Sequence, residues 1–529
     1  MRHTLALIAI SAALAAIVGP LYIRGLDRAP VYLVRDEVQS GRQAYSLRTT
    51  GRDLMGRRLP LYFAEPGYSI GRDPVMIYAT GLVLRVMPLT ERSVRLVSAL
   101  VGTLNVVLMF FVARRAFGSN ALGVCAAGML ALAPAHFIHS RLGVSLIYPL
   151  PFVLGWLLGL TAYLENPERR WPLVAGLASL ALGIYSYLAC VVLVPVFVLL
   201  TGFAIYTRET WRRSLAAFGG FALMLLPFLA WELVHPRYGE FVRTYHPYAE
   251  RFTPLQGLKD MLSHFGFSTR VSAYWFNLNP GMLFLTGDSS YINSTRETGA
   301  FLWPVGILMV IGAYQIIATR RSRLGMLLIL AFLAAPLPAA ITAEVSVRRE
   351  LVMLVFGTLI ATFGLEWLVA SGQRGVWRAA GVVLLLLMPF QFRAFHTDYM
   401  TENRIRTSLW FGGNIRGAFE DVINRRREAP VGPVYLSTRI PYVDEYWGFY
   451  RLKQHAEAMA VPVYFDPAKL DPEQPPAGTL LVSTAGEAPA PELLLQHGWR
   501  QVFNATEPNG ASTYLVFEKS LSPGQPARP

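Results

Sequence analysis

The segment Leu177–Ile205 reads LASLALGIYSYLACVVLVPVFVLLTGFAI and carries no charged residue. A strand of a membrane barrel would alternate apolar and polar residues, whereas this segment is apolar on nearly every side. Unpaired backbone groups are costly in hydrocarbon, so a chain crosses a bilayer as helices or as a closed barrel. The segment therefore predicts membrane helices, either a pair separated by a short turn at Tyr185-Ser186-Tyr187 or one long span.

The composition of the whole chain agrees with this segment. Of its 529 residues, 53% are hydrophobic and 16% are charged, whereas a soluble domain carries about 25% charged residues. We therefore predict an all-α polytopic membrane protein with about eleven transmembrane helices of about 20 residues each, outside juxtamembrane helices and a small C-terminal α/β domain. The predicted spans lie near residues 4–23, 93–113, 119–135, 143–164, 172–188, 190–206, 215–234, 300–318, 325–341, 350–370 and 376–392.

Arginines in the short loops predict the orientation, because cytoplasmic loops are enriched in Lys and Arg. The N-terminal apolar run continues to Arg24 without a clear small-residue cleavage site, so we interpret it as an uncleaved first span. With the N-terminus in the cytoplasm, the short outside loops carry only Arg141 and the pair Arg348-Arg349. Every predicted inside loop is basic, with Arg114-Arg115, Arg169-Arg170, Arg208 and Arg212-Arg213, Arg320-Arg321 and Arg323, and Arg374 and Arg378.

Three long segments fall outside the membrane in this topology. Residues 1–392 form the predicted transmembrane domain, of which 24–92 and 235–299 are large outside loops. Residues 393–519 form a predicted extracytoplasmic α/β domain, because strand-like runs alternate with helical stretches. The Pro-rich tail 520–529 is predicted to be disordered. The predicted strands are Val434–Ser437, Val461–Phe465, Thr479–Ser483 and Thr513–Phe517, and the predicted helices are Val443–Met459 and Pro491–His497.

The chain shows no pattern typical of a cofactor or a nucleic acid site. Cys125 and Cys190 both lie in predicted spans, which argues against a disulfide framework or a metal site. His246 and His264 have no partner at metal-ligand spacing, so we predict no zinc site. A divalent ion bound at Asp36 is compatible with the sequence, but no residue pattern argues for it. The net charge of +14 comes nearly all from arginine, and a GC-rich genome would produce the same excess.

Asp36 and Glu37 are the first candidates for chemistry, about a dozen residues after the first predicted span. One interpretation is structural: Asp36 is an N-cap, and Gln39 completes a capping box. The other is catalytic: the Asp36 carboxylate acts as a general base that takes a proton from an acceptor hydroxyl. These two roles do not exclude each other.

Other charged residues have two interpretations as well. Asp73 before Pro74 has the pattern of an N-cap followed by proline at the first helical position. Glu344 lies four residues before Arg348 and can pair with it. Asp288 follows a glycine and is typical of a turn.

The order of several short motifs resembles the type C glycosyltransferases, and most closely the protein O-mannosyltransferase and aminoarabinose-transferase group. The resemblance covers residues 1–392 and begins with a first span that is followed by an outside Asp-Glu pair. The later motifs are Glu91–Leu100 (ERSVRLVSAL), Phe117-Gly118 after Arg114-Arg115, His139-Ser140-Arg141, Asn279-Pro280 with Leu283-Phe284-Leu285, Gly287-Asp288 and Gly299, and Ala343-Glu344 with Arg348-Arg349.

The resemblance implies an enzyme that uses a sugar linked to a polyprenyl phosphate. It implies Asp36 as the base, supported by Glu37. Arginine suits the leaving phosphate, because its planar fork binds two phosphate oxygens. Arg141, Arg348 and Arg349 are the candidates, although each could instead anchor a helix end at the headgroups. Glu344, Asp73 and Asp288 complete the predicted substrate-binding set.

One departure from the family concerns a second carboxylate. In the aminoarabinose-transferase branch an acid follows the Ser-Arg turn by a few residues, whereas residues 142–147 here read LGVSLI. Asp36 would therefore act alone or with an acid from elsewhere in the chain.

The sequence favours an inverting membrane glycosyltransferase that moves a sugar from a polyprenyl-phosphate donor to an extracytoplasmic protein, lipid or glycan. The expected location is the bacterial inner membrane, with the active site and the C-terminal domain outside. The alternative is a transporter or flippase of lipid-linked glycans, which would more typically carry charges within its spans and internal repeats. A polysaccharide polymerase or ligase shares the donor type. An oligosaccharyltransferase is disfavoured by the absence of a Trp-Trp-Asp motif.

Overall fold

The computed structural model describes residues 2–63, 73–206, 211–234, 254–319, 323–370, 375–486 and 491–520. Helices make up most of this part of the chain. In chain order they are α1 Arg2–Ile23, α2 Arg35–Thr50, α3 Pro74–Val83, α4 Glu91–Phe117, α5 Asn120–Ala131, α6 Pro134–His139, α7 Pro149–Glu165, α8 Trp171–Leu182, α9 Cys190–Ile205, α10 Trp211–Val234, α11 Pro254–Leu262, α12 His264–Asn277, α13 Pro280–Phe284, α14 Trp303–Thr319, α15 Arg323–Ala334, α16 Leu337–Ile341, α17 Met353–Val369, α18 Gly375–Met400, α19 Glu402–Thr407, α20 Ile415–Glu428, α21 Val443–Lys453 and α22 Pro491–Gln496.

Several of these helices are long and apolar enough to cross a membrane, so the chain is a polytopic membrane protein. Among the described residues, five helical segments of at least 18 residues meet this condition, namely Thr4–Ile23, Glu91–Phe117, Ser145–Glu165, Arg323–Ile341 and Gly375–Met400. Further apolar helices are shorter, including Trp303–Thr319 and Met353–Val369. The number of eleven spans stays a prediction.

The segment Leu177–Ile205 forms two helices rather than one. Helix α8 ends at Leu182, a short 3-10 turn covers Gly183–Tyr185, and α9 begins at Cys190. The buried Ser186 hydroxyl donates to Gly183 O at 2.6 Å, which closes the turn. Tyr187 follows directly, between two apolar helices.

The chain divides into two compact units. The first comprises Met1–Leu26, Thr50–Ala79 and Arg95–Asp398 and holds most of the apolar helices. Helices α14 and α17 approach most closely there through Gly312 and Gly364. A Cβ at Gly312 would collide with Ile360 O, and one at Gly364 would collide with Leu308 O. Small residues permit such contact between membrane helices, where dispersion forces rather than hydrophobic burial drive association.

The second unit comprises Asp27–Thr49, Thr80–Val94 and Tyr399–Pro529. It contains a five-stranded sheet in the order β2-β1-β3-β5-β4. Strand β1 is parallel to β2 and β3, whereas β5 is antiparallel to β3 and β4. One face of the sheet carries an apolar cluster, which Leu494 of α22 joins. Its strand residues are Phe465, Leu481, Trp499, Leu515 and Phe517. The strands are β1 Val434–Ser437, β2 Val463–Phe465, β3 Leu480–Thr484, β4 Trp499–Thr506 and β5 Ser512–Lys519.

Four of these strands coincide with predicted ones, and β4 was missed. It lies at the edge of the sheet and carries Arg500, Gln501 and Asn504, so its residues do not show a continuous apolar run. The predicted helices at Val443 and Pro491 are present as α21 and α22.

Candidate active site

The eight predicted site residues belong to both units. Asp36 and Glu37 lie in the second unit. Arg141, Arg348, Arg349, Glu344, Asp73 and Asp288 lie in the first. Each group is described within its own unit.

Asp36 and Glu37 have different environments although they are adjacent. Helix α2 begins at Arg35, and the Glu37 carboxylate accepts a hydrogen bond from the backbone N–H of Val34 at 2.9 Å. Glu37 is fully buried, whereas Asp36 is exposed. The prediction of Asp36 as the N-cap is therefore wrong. The helix starts two residues earlier than an N-cap at Asp36 would require, and Glu37 at its third position reaches back to the cap residue Val34, as in half of a capping box.

The first turn of α2 is fixed to α21. The Arg35 guanidinium binds both carboxylate oxygens of Glu445, with its closest contact at 2.8 Å. The same guanidinium stacks over the Tyr442 ring, 3.8 Å from its centroid. The Tyr446 hydroxyl donates to Leu33 O at 3.0 Å. Sequence reasoning missed these partners because they lie 410 and 413 residues away along the chain.

Tyr446 borders both acids. Burial raises the pKa of the Tyr446 hydroxyl, and the negative charges of Glu37, Glu445 and Asp36 add to this effect. The hydroxyl therefore stays protonated and serves as a hydrogen-bond donor. Buried groups thus hold the helix start, whereas the Asp36 side chain is exposed.

Glu344, Arg348 and Arg349 come together in one turn of the first unit, which we call the 344–349 turn. Arg348 donates to the Glu344 carboxylate at 2.8 Å, as the spacing predicted, and Arg349 donates to both oxygens of the same carboxylate at 2.8 and 3.1 Å. Burial acts to raise the pKa of Glu344, but hydrogen bonds and charge from Arg349 and Arg348 outweigh it and hold that pKa below its usual value. Two arginines of the turn therefore bind one carboxylate, which fixes their guanidinium groups next to each other.

The Asp288 carboxylate binds this turn through hydrogen bonds to its backbone and to one of its side chains. Its side chain is 1% exposed. One carboxylate oxygen accepts hydrogen bonds from the Ser346 hydroxyl and the Val347 N–H, both at 2.8 Å. The other oxygen accepts from the Ser290 N–H at 2.8 Å. Asp288 directly follows Gly287, whose backbone has a left-handed conformation (φ 71°). The turn role predicted for Asp288 is confirmed, and its burial favours positioning of the 344–349 turn over the predicted substrate contact.

Asn277 of helix α12 binds the same turn from another side. Its amide oxygen accepts from Ser346 N at 3.0 Å, and its amide nitrogen donates to Glu344 O at 2.9 Å. Asp288 and Asn277 together fix the backbone on which the two arginines stand. Nothing in the local sequence indicated Asn277.

Tyr187 lies among four of the predicted residues. The charges of Arg349, Arg348, Asp73 and Glu344 all act on the buried Tyr187 hydroxyl. All four charged groups are thus close enough to influence the tyrosine hydroxyl. The missed signal was the position of Tyr187 in a very short turn between two apolar runs.

Asp73 precedes Pro74, the first residue of helix α3, as the sequence predicted. Its carboxylate accepts a hydrogen bond from the Ser145 hydroxyl at 2.8 Å. Ser145 belongs to the LGVSLI stretch that lacks the family's second acid. Asp73 is therefore an acid near this stretch that comes from a different part of the chain.

Arg141 is fully buried. Its guanidinium donates to the backbone carbonyls of Tyr22, Arg24 and Gly25 at 2.7, 2.9 and 2.8 Å. Arg95, also buried, donates to Leu26 O at 2.9 Å. These carbonyls lie at and after the end of α1, where helical partners are lacking. The contacts favour a structural role for Arg141 over the predicted contact with phosphate.

Within the described ranges, no group of three or more His, Cys, Asp or Glu side chains could hold a metal ion.

Comparisons with known proteins agree with this architecture. Residues 71–231 match the family model described as dolichyl-phosphate-mannose-protein mannosyltransferase. The apo structure of ArnT from Cupriavidus metallidurans matches with a TM-score of 0.56 and 15% identity, covering 97% of this chain and 98% of that one. The same protein bound to undecaprenyl phosphate matches with a TM-score of 0.52 and 15% identity, over 98% and 99% of the two chains.

An archaeal enzyme also matches. The oligosaccharyltransferase AglB from Archaeoglobus fulgidus, in complex with an inhibitory peptide and a dolichol-phosphate, has a TM-score of 0.52 and 12% identity. The alignment covers 98% of this chain and 75% of AglB. No curated protein sequence matches this chain. These findings confirm the predicted resemblance to the type C glycosyltransferases, and with it the predicted class of enzyme, a membrane glycosyltransferase.

Proposed function

We propose that this chain transfers a sugar from a polyprenyl-phosphate donor to an acceptor outside the cytoplasm. The main support is the 344–349 turn, where Arg348 and Arg349 both bind the Glu344 carboxylate and lie side by side. Two guanidinium groups on a turn that Asp288 and Asn277 hold in place are suited to the phosphate of such a donor. ArnT bound to undecaprenyl phosphate and AglB in complex with a dolichol-phosphate share the fold.

In the proposed reaction, the acceptor hydroxyl attacks the anomeric carbon of the sugar. The bond between that carbon and the phosphate oxygen breaks, and its electron pair stays on the phosphate. The Asp36 carboxylate takes the acceptor proton, and the arginines of the 344–349 turn stabilise the charge on the leaving phosphate. A single direct displacement inverts the anomeric centre.

The geometry divides the roles of the two adjacent acids. Glu37 is buried and accepts the Val34 N–H, so its carboxylate is already used in the protein. Asp36 stands one residue before it and is exposed. We therefore assign proton transfer to Asp36 and positioning of the helix start to Glu37.

Asp73 is the proposed second acid of the donor site. Its charge acts on Tyr187 together with those of Arg348 and Arg349, which supports this assignment. Its bond to Ser145 gives it a fixed position near the stretch where the related branch carries an acid. A role in orienting the sugar fits this position, because carboxylates accept hydrogen bonds from sugar hydroxyls.

The proposed location is the bacterial inner membrane, with the site on the outer face. The arginine bias of the predicted loops supports this orientation. The rival function, movement of a lipid-linked glycan across the membrane, would not require an exposed carboxylate on a fixed helix start.

The test is sugar transfer from synthetic polyprenyl-phosphate monosaccharides by purified protein in detergent, with a membrane extract as the acceptor source. Asp36→Asn should lower the turnover by about 100- to 10,000-fold, the usual contribution of a general base. Asp444→Asn is the matched control, since Asp444 is also an exposed acid in the first turn of a helix, α21. Equal turnover by Asp36→Asn and the wild type would refute the assigned base.

A second arm separates the enzyme from a flippase. Wild-type protein in liposomes is given a fluorescent polyprenyl-phosphate sugar on one leaflet. Translocation without transfer to any acceptor would exclude the proposed function. Transfer that depends on Arg349 but not on Asp36 would keep the enzyme and move the base to another acid.

A further inference from the structure

Two arginines of the second unit lie together without a carboxylate partner. The Arg404 Nε donates to the backbone carbonyl of Arg28 at 2.8 Å. Burial lowers the pKa of Arg404, and the nearby positive charge of Arg28 lowers it further. Neither guanidinium makes an ion pair with a carboxylate of the described chain, although Asp27 and Glu402 are close in sequence. Two like charges held together in this way attract an anion.

Exposed apolar side chains follow Arg404 within the next six residues of the chain. Ile405, Leu409 and Trp410 are 39%, 70% and 50% exposed. They come from α19 and from the short 3-10 helix Ser408–Phe411 that follows it. Apolar and aromatic side chains mixed with cations are typical of protein surfaces at the interface between lipid and water.

Arg28 is tied by a short length of chain to a predicted membrane end. It comes five residues after Ile23, the last residue of α1, which is a candidate span. At about 3.5 Å per residue at most, Arg28 cannot lie far from the headgroup layer. Arg404 lies beyond residue 392, where the last predicted span ends, but its Nε contacts the backbone carbonyl of Arg28 and so shares this position.

We propose that Arg28 and Arg404, with Ile405, Leu409 and Trp410, form a binding surface for an anionic membrane phospholipid. We call it the Arg28–Arg404 surface. The guanidinium forks bind the headgroup phosphate, and the apolar side chains enter the adjacent acyl layer. The surface shares no residue with the proposed catalytic set and does not depend on the proposed reaction. A small soluble anion would gain nothing from the exposed leucine and tryptophan.

The experiment is lipid binding to the full-length protein in neutral detergent, measured by native mass spectrometry. Phosphatidylglycerol, phosphatidylcholine, undecaprenyl phosphate and inorganic phosphate are titrated separately. The double variant R28Q/R404Q should bind phosphatidylglycerol about 30-fold more weakly, since each basic residue near an anionic surface contributes about fivefold. Its binding of phosphatidylcholine should not change.

The matched control removes two other exposed arginines of the same unit. R439Q/R500Q changes side chains that are 55% and 73% exposed on the sheet region. This control should bind phosphatidylglycerol like the wild type. The charge-preserving variant R28K/R404K should recover most of the phosphatidylglycerol binding. Such recovery would show that R28Q/R404Q loses binding through the missing charges and not through misfolding.

Three results would overturn the proposal. The first is unchanged phosphatidylglycerol binding in R28Q/R404Q. The second is an equal loss in R439Q/R500Q, which would indicate a general charge effect. The third is dependence on the two arginines for undecaprenyl phosphate or inorganic phosphate alone, which would identify the occupant as the carrier lipid or a free anion.

Discussion

Substitution of Asp288 by asparagine tests whether this buried carboxylate positions the 344–349 turn. Asparagine keeps one oxygen, which can still accept from Ser290 N. The other oxygen becomes an NH2 group. In the wild type this oxygen lies 2.8 Å from both the Val347 N–H and the Ser346 hydroxyl, so the NH2 group faces the same two partners. The Ser346 hydroxyl can turn and accept from this NH2 group, whereas the Val347 N–H loses its acceptor. A hydrogen bond to a charged group contributes about 1.5 to 3 kcal/mol, so the substitution costs about this much. The lower value corresponds to a factor of about 12 in the population of the ordered turn.

Two measurements follow this change. Hydrogen–deuterium exchange at residues 344–350 should become faster in Asp288→Asn, and this readout does not depend on any substrate. The KM for the polyprenyl-phosphate donor should rise at least about tenfold, whereas kcat at saturating donor should change much less, because Asp288 does not contact the reacting atoms. This split separates positioning from a general loss of fold.

The matched control is Asp471→Asn. Asp471 also accepts a backbone N–H in a turn, that of Glu473 at 3.0 Å, but it is exposed. Its substitution should change exchange only locally, and stability by about 0.5 kcal/mol or less. Normal exchange at 344–350 together with a normal donor KM in Asp288→Asn would refute the reasoning.

Three further predictions concern other contacts of the two units. Glu445→Gln should weaken the ion pair between Arg35 in the first turn of α2 and Glu445 in α21. Initial rates should then show a fall in kcat with a smaller change in the donor KM, whereas Asp444→Asn should leave both constants unchanged. The pKa of Glu344 is held below its usual value. The ion pairs of Glu344 therefore stabilise the fold fully above about pH 4.3, the unfolded value, and this stabilisation is lost as the pH falls through the lower folded pKa. Exchange protection of the 344–349 turn should fall over the same pH range, and Glu344→Gln should abolish this pH dependence. Arg141→Met should lower thermal stability by leaving backbone carbonyls without donors, yet leave the donor KM of the surviving folded enzyme near normal; a selective rise in KM would restore its predicted phosphate role.

The fold could be predicted largely from hydropathy, because the apolar runs are long and the membrane leaves few alternatives to a helix. Where hydropathy left a choice, local chemistry decided it. The run Leu177–Ile205 breaks because Ser186 closes a turn on Gly183, a contact that an average over twenty residues does not resolve. Strand β4 was missed for the opposite reason, since an edge strand exposes polar side chains and resembles a loop.

The site could be predicted only as far as local sequence reaches. The Asp-Glu pair and the charged turn were visible, because each is a short motif at the end of an apolar run. The separate roles of Asp36 and Glu37 were not, because they depend on a helix start shifted by two residues and on Glu445, which lies 410 residues from its partner Arg35. Arg141 shows the same limit: its residue type suited phosphate, whereas its contacts are three backbone carbonyls.

The single carboxylate in the 344–349 turn suits the charge change of the proposed reaction. A sugar linked to a polyprenyl phosphate is a diester with a charge of about −1, and the leaving polyprenyl phosphate is a monoester with about −1.5 to −2 at neutral pH. Within residues 344–349, Arg348, Arg349 and Glu344 together carry about +1, and the buried Asp288 carboxylate lies against the backbone of the same turn. The turn therefore gains attraction as negative charge develops on the leaving oxygen, which is the condition for stabilising the transition state more than the bound donor. Two arginines without Glu344 would bind the more highly charged product still more tightly and slow its release, so the carboxylate limits the affinity for the product as well as fixing both guanidinium groups.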